Sequence, residues 1–260
     1  MIHRVHLLSF ASSRIGSLHR LRCEAESMGC FSSITLLSSR DLGDDYWRAC
    51  GDFVRTHPRR GFGFWTWKPY IIKRQLEKLP LGDVLLYVDA GYSLNVEGLV
   101  RFHEYVARAI SHPSGWLVFE TGQQIGCYTK RSLLQKYSGD DANTRGLPML
   151  QAGCQFILAR HDNVALAKQW FEAMQERAMV DDSPAADEVK GFIAHRHDQS
   201  IFSILAHRYG VCHIKDETDW SPNWRIHLDY PLHTRRWKHR VGWPTSWLRR
   251  PWLGRILRRI

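Results

Sequence analysis

Two rhythms of apolar residues alternate along the chain. Short apolar-rich runs fall at residues 5–10, 33–37, 83–88, 116–119, 154–158 and 211–214, and the run at 84–88 is apolar on both faces. Such runs suit strands buried inside a sheet that helices cover on both sides. Between them, apolar residues recur at helical spacing. Ile71, Ile72, Leu76 and Leu79 form one stripe after Pro69, and Leu99, Phe102, Val106 and Ile110 form another. Pro69 is well placed to open its helix, because the first helical position needs no amide donor. Further helices are predicted from the turn at 11–16 to Met28, and at 46–56, 132–137, 163–177 and 199–208. Asp44 or Asp45 would cap the second of these. His57 and Pro58 close it, since a residue before proline is pushed out of the helical region.

The joining segments are predicted as loops. These are an aromatic, glycine-broken stretch at 61–68, turns at 80–82 and 120–122, a polar segment at 138–148 and an acidic link at 180–188. Strand–helix alternation over most of the chain predicts an α/β fold, a mainly parallel sheet flanked by helices. No internal repeat or low-complexity tract interrupts it.

Composition narrows the class. The 260 residues are 44% hydrophobic, room for one α/β domain with a full core or for two small ones. No apolar run reaches ~18 residues, so no spanning helix is expected. The apolar N-terminal stretch is short for a signal peptide and reads as the first core strand. Six cysteines, none at a close metal-binding spacing, read as reduced and mostly buried. A glycine-rich phosphate fingerprint is missing, because Gly61-Phe62-Gly63 lacks its third glycine and follows no clear strand.

Charge is segregated. The net charge is +10, yet nine of the 36 Lys and Arg lie in residues 234–260, which hold no acid. The body keeps 27 basic against 26 acidic residues and is close to neutral. The tail also carries Trp237, Trp243, Trp247 and Trp252. Tryptophan, arginine and a modest apolar face suit contact with an anionic membrane surface. Nucleic-acid binding is the alternative for such a tail, and the neutral body argues against it.

Candidate chemistry gathers in the central stretch. Asp89 ends a buried strand and is followed by Ala90-Gly91, where open α/β sheets bind ligands. Lys68 precedes a helix N-terminus, a place that favours anions. Trp65 and Trp67 are suited either to stack on a base or sugar or to plug the core. Asp198, in His197-Asp198-Gln199-Ser200, is suited to cap a helix or to act as a general base. Glu120 and Gln151 border predicted strands as partners for sugar hydroxyls.

These motifs carry a family resemblance. Gly61-Phe62-Gly63-Phe64-Trp65-Thr66-Trp67-Lys68-Pro69, Gly82-Asp83-Val84-Leu85-Leu86-Tyr87-Val88-Asp89-Ala90-Gly91 and His197-Asp198-Gln199-Ser200-Ile201 resemble bacterial GT-A-type glycosyltransferases of surface-polysaccharide and lipopolysaccharide synthesis. The resemblance covers most of residues 5–233 and implies a GT-A-like domain there, followed by the basic tail from 234. It implies a nucleotide-sugar donor, held by Lys68, Trp65, Trp67, Asp89, Ala90 and Gly91. It implies a saccharide acceptor, lipid-linked and at the inner face of a cell membrane, met by Glu120, Gln151 and Gln199. The residues 151–154 resemble the small-residue turn lining acceptor sites in this fold. Asp198 and Asp89 would be catalytic. A divalent Mn²⁺ or Mg²⁺ is implied at Asp89, with His233 or His227 as a late ligand. The usual Asp-x-Asp pair is incomplete, since Gly91 holds its third position. A non-catalytic sugar-binding homologue is therefore the second alternative.

Overall fold

A computed structural model describes residues 3–13, 15–183, 188, 190–218 and 227–234. In chain order the strands and helices begin with β1 (Val5–Phe10), α1 (Ile15–Met28), β2 (Ser33–Leu37), α2 (Asp44–Thr56), α3 (Gly61–Phe64), α4 (Trp67–Leu76), β3 (Val84–Val88) and β4 (Ser93–Leu94). They continue with α5 (Leu99–Ser111), β5 (Trp116–Gln124), α6 (Ile125–Tyr128), α7 (Arg131–Ser138), α8 (Ala142–Gly146) and β6 (Pro148–Leu158). The last are α9 (His161–Ala173), α10 (Arg177–Val180), α11 (Asp198–Arg208), β7 (Cys212–Ile214) and β8 (Leu232–His233).

Six strands form one sheet in the order β2-β1-β3-β6-β5-β7. The pairs β1–β2, β1–β3 and β5–β7 are parallel. Strand β6 runs antiparallel to both of its neighbours, β3 and β5. The sheet is thus mostly parallel with one reversed strand, and helices cover both faces, as the alternation predicts. Residues Val84 to Val88 are wholly buried, which explains the unbroken apolar run of β3. One apolar layer packs Leu8, Leu85 and Tyr87 against α2, α4, α9 and α11. The opposite layer packs Leu7, Leu86 and Val88 against α1 and α5. Each such side chain, fully buried, contributes about 1.5–3 kcal/mol.

Several expectations are corrected. The helix expected from Pro69 begins at Trp67. The proline still sits in the first turn, where amides lack helical partners. Residues 120–122 do not turn the chain but continue β5 to Gln124, past two register shifts. Residues 151–153 are not a turn either; β6 starts at Pro148 and runs through them. A short helix, α8, stands in the segment expected as loop. The basic tail, apart from Thr234, lies outside the described residues. Among those residues, no helix is long and apolar enough to cross a membrane, and no cysteine is disulfide-bonded.

The 61–68 stretch has an unexpected form. Gly61, Phe62, Gly63, Phe64 and Trp65 all have φ between +54° and +80°. With bonds from the amides of Phe64 and Trp65 to the carbonyls of Arg60 and Gly61, at 2.8 and 3.0 Å, they make a turn of left-handed helix. Glycine accepts this region freely, whereas each L-residue with a Cβ costs roughly 1–2 kcal/mol there. Three aromatic residues bear that cost. Packing offsets it: Phe64 is buried, Phe62 lies near Phe10 and Trp47, and the Trp67 indole donates to the Gly61 carbonyl at 3.0 Å. Gly63 has no alternative, because a Cβ there would meet the α2 backbone and Val54 at 2.9–3.1 Å.

Candidate functional site

Strand β3 delivers Asp89 to the carboxyl edge of the sheet, and the chain turns at once. The turn is braced from both sides. The Asp89 amide donates to the Gly153 carbonyl at 2.8 Å, and the Tyr92 amide to the Asp89 carbonyl at 2.9 Å. From α1, Arg20 reaches behind the turn and donates to the carbonyls of Ala90 and Tyr92 at 2.9 and 2.8 Å. Gly153 sits so close that a Cβ on it would come within 2.8 Å of Asp89 Oδ2.

Helix α4 brings Lys68 to the same place. Its Nζ lies 2.7 Å from Asp198 Oδ2 and 3.3 Å from Asp89 Oδ1. Asp198 is the first residue of α11. Its carboxylate pairs with Lys68 across 130 positions of sequence, beyond a helix-cap role. Tyr87 completes the group by donating its hydroxyl to Asp89 Oδ1 at 2.5 Å. Lys68 and Asp198 are buried, while the Asp89 side chain is 37% exposed. Two carboxylates, one ammonium and one phenol thus converge, with Asp89 as the open member.

The electrostatics follow from burial. Desolvation pushes the Asp198 carboxyl up to about 6, although Lys68 pulls it down. Burial pulls the Lys68 ammonium down, but Asp198 and Asp89 outweigh it, and the group stays charged. Burial and the Asp89 charge hold the Tyr87 phenol far above its ordinary value, so it remains a donor.

The other predicted residues are placed as follows. Trp67 is buried and stacks on Phe10 at 4.1 Å, which makes it a core side chain. Trp65 is half-buried and stacks on His197 at 5.4 Å. Ala90 is half-buried and Gly91 exposed, on the open side of the Asp89 turn. Gln151 is buried and accepts from Tyr92 at 2.8 Å while donating to Thr218 at 3.1 Å. Glu120 faces His213 at 2.8 Å from its strand. Gln199 is half-buried in the first turn of α11. His233 is buried on β8, opposite Ser93. His227 stacks on Tyr230 at 4.6 Å.

A divalent cation needs several oxygen or nitrogen ligands converging on one point. Among the described residues no three His, Cys, Asp or Glu side chains converge in that way. Asp89 brings one carboxylate, and its Oδ1 already serves Tyr87 and Lys68. The described residues therefore do not fit a cation cage, and the positive charge beside Asp89 is the Lys68 ammonium.

Four contributors were missed in the sequence: Tyr87, Arg20, Gly153 and His197. Tyr87 was legible only as an apolar strand residue. Arg20 lies on a helix with no motif. Gly153 stood inside the small-residue segment, and His197 stood beside Asp198 in its motif.

No protein-family model matches the sequence, and no curated protein does. Solved structures of three glycosyltransferases are similar in shape. A glycosyltransferase involved in glycosylation of the major capsid of PBCV-1 gives a TM-score of 0.49 at 12% identity, over 88% of this chain and 91% of that one. Mouse xyloside xylosyltransferase 1, in its apo form, gives 0.46 at 10% identity, over 92% and 100%. The galactosyltransferase LgtC, in complex with donor and acceptor sugar analogues, gives 0.45 at 14% identity, over 94% and 90%.

Proposed function

We propose that this chain is a glycosyltransferase that moves a sugar from a nucleotide-sugar donor to a saccharide acceptor. The observation that carries the reading is the Asp89–Lys68–Asp198 group at the carboxyl edge of the sheet. Sugars present vicinal hydroxyls, each both donor and acceptor. A partly open carboxylate backed by a buried ammonium offers complementary partners in a fixed arrangement, and charge-assisted bonds of this kind are the strong ones. The motif resemblance around the same three residues supports the reading independently of the geometry.

In this reading Asp89 accepts hydroxyls of the donor sugar. Lys68 holds both carboxylates in register and sets positive charge where the leaving diphosphate gathers negative charge. Asp198, with its proton affinity raised by burial, takes the acceptor hydroxyl's proton if the transfer inverts configuration. In a retaining transfer it grips sugar hydroxyls instead. In the same reading Ala90 and Gly91 meet the donor, and Gln151 and Gln199 meet the acceptor. The acceptor in this reading is lipid-linked and belongs to cell-surface polysaccharide synthesis. The basic, tryptophan-bearing tail then holds the enzyme on the cytoplasmic face of an anionic membrane.

A thermal-shift screen tests the reading. UDP-, GDP-, CMP- and dTDP-sugars are each added with Mn²⁺ and with a chelator, since a ligand binding only the native state raises its melting temperature. A shift for one nucleotide class that Asp89→Ala abolishes is expected. Dependence on Mn²⁺ would bring in a ligand from outside the described residues. No shift with any donor overturns the reading. Co-sedimentation with anionic vesicles, lost on deleting residues 235–260, tests the tail.

A further inference from the structure

The residue before Asp198 is held in a backbone conformation that almost only glycine adopts. His197 has φ +50° and ψ −118°. A side chain persists there only where its surroundings over-determine it. Those surroundings are specific. The Nδ1–H donates to the Val180 carbonyl at 2.7 Å, Trp65 stacks on the ring at 5.4 Å and 26°, and Phe64 lies at 5.2 Å. Nε2 makes no hydrogen bond, and the Asp182 carboxylate 3.4 Å away is held instead by Arg60, through two bonds at 2.9 and 3.2 Å.

The two walls of this cage come from distant parts of the chain. Phe64 and Trp65 belong to the left-handed turn that leads into Lys68. Val180 is the last residue of α10, and buried Lys130 fastens α10 and the residues just after it through the Ala178 carbonyl, Asp181 and Ser183 at 3.1, 2.8 and 3.0 Å. His195 adds a bond to the Met179 carbonyl at 3.0 Å. Burial holds both imidazoles below their ordinary proton affinity, to about 3 for His195, so the cage is built around neutral rings. His197 stands at the start of α11, and the next side chain is the carboxylate paired with Lys68.

We infer that His197 is a positioning residue: its caged imidazole fixes the strained backbone that aims Asp198 at Lys68. Two strained elements, the left-handed turn and His197, lean on each other, and each leads into the helix that carries one partner of the ion pair. The inference rests on the proposed transferase for its kinetic readout but not for its spectroscopic one.

The test compares wild type with His197→Gly and His197→Asn. Glycine removes the ring, and its many accessible backbone conformations leave nothing to hold φ and ψ at this point. Asparagine keeps a Cβ, as histidine does, and an amide donor for the Val180 carbonyl. The Asp198 carboxyl is titrated by carbon-13 NMR in each, without donor. The midpoint is expected to move by about one pH unit or more in His197→Gly, as the carboxylate leaves Lys68, and to hold in His197→Asn. An unchanged midpoint in His197→Gly overturns the inference. If that variant is too unstable to titrate, Trp65→Leu removes one wall of the cage and takes its place with the same expected shift. With a working donor, kcat/KM is expected to fall about 100-fold in His197→Gly, mainly through kcat, at a nearly unchanged melting temperature. Wild-type activity in His197→Gly also overturns it. A wild type that binds no donor sinks the transferase and leaves the titration to decide.

Discussion

Replacing Gly153 by alanine moves the site without removing any of its charges. The added Cβ would lie 2.8 Å from Asp89 Oδ2 and 3.3 Å from Tyr92 Cε2. Ordinary contact begins near 3.4 Å, so the carboxylate must yield about 0.6 Å. The strands cannot separate easily, since the Asp89 amide is bonded to the Gly153 carbonyl at 2.8 Å and Val88 pairs with Cys154. Nor can Asp89 rotate freely, because Tyr87 and Lys68 hold its other oxygen. A misplacement of 1 Å can cost 10²-fold, so a shift of this size is expected to lower kcat/KM roughly 15-fold. Stability should suffer less. Overpacking a closed core costs about 1–3 kcal/mol, and the partly exposed Asp89 side chain puts this change near the lower end. That corresponds to a melting temperature about 2–4 °C lower. Steady-state kinetics with a donor found in the screen, beside a thermal melt, measures both. Gly146→Ala, with nothing within 4 Å of its Cβ, is the control. Wild-type kcat/KM in Gly153→Ala, or an equal loss in Gly146→Ala, would refute the placement of Asp89 as the operative feature.

Four more outcomes follow from the same site. Below pH about 6 the Asp198 carboxyl takes up its proton, so in an inverting enzyme kcat/KM falls tenfold per unit toward acid; a flat profile there would exclude Asp198 as the base. Folding has the matching sign: this raised carboxyl favours the native state at low pH, and its contribution is lost as pH rises through about 6, which urea melts at pH 4 and pH 7 of wild type and Asp198→Asn would reveal. Lys68→Met strands a buried carboxylate and is expected to cost about 3–5 kcal/mol in denaturant unfolding, with most of it recovered when Asp198→Asn is added; strictly additive losses would contradict the pair. Gly91→Ala meets nothing within 4 Å and needs no positive φ, so its melt should match wild type, while a raised KM for the donor would mark close approach of the donor to that turn.

Much of the frame was legible because it obeys local rules. Strands β1 and β2 fall at the bounds that their apolar runs predict, and β3 ends at Val88, which leaves Asp89 as the first residue past the sheet. The extensions of β5 and β6 were hidden. Residues Glu120 to Gln124 are half-buried or exposed, so the apolar rhythm stops where the helices no longer cover the strand, although the ladder goes on. The left-handed turn announced itself only through Gly61 and Gly63. Nothing local to Phe62, Phe64 or Trp65 favours positive φ, and tertiary packing imposes it. The site was half legible for the same reason. Asp89, Lys68 and Asp198 each stood at the end of an element, but a contact spanning 130 positions has no local trace, and a helix-first aspartate looks the same whether it caps its own helix or reaches across to an ammonium.

Arg20 gives the Asp89 turn a particular thermodynamic character. Its guanidinium occupies the Ala90 and Tyr92 carbonyls from behind, so that backbone is already ordered before any ligand arrives. Ordering a free residue costs about 1–2 kcal/mol, and here folding has met that cost in advance. Binding at this edge should therefore look rigid in a calorimeter. The heat-capacity change should track the apolar area that the ligand covers, with no added share from a loop that folds around it. Loss of the arginine would then appear as an entropic penalty on association, even where every group that touches the ligand is unchanged.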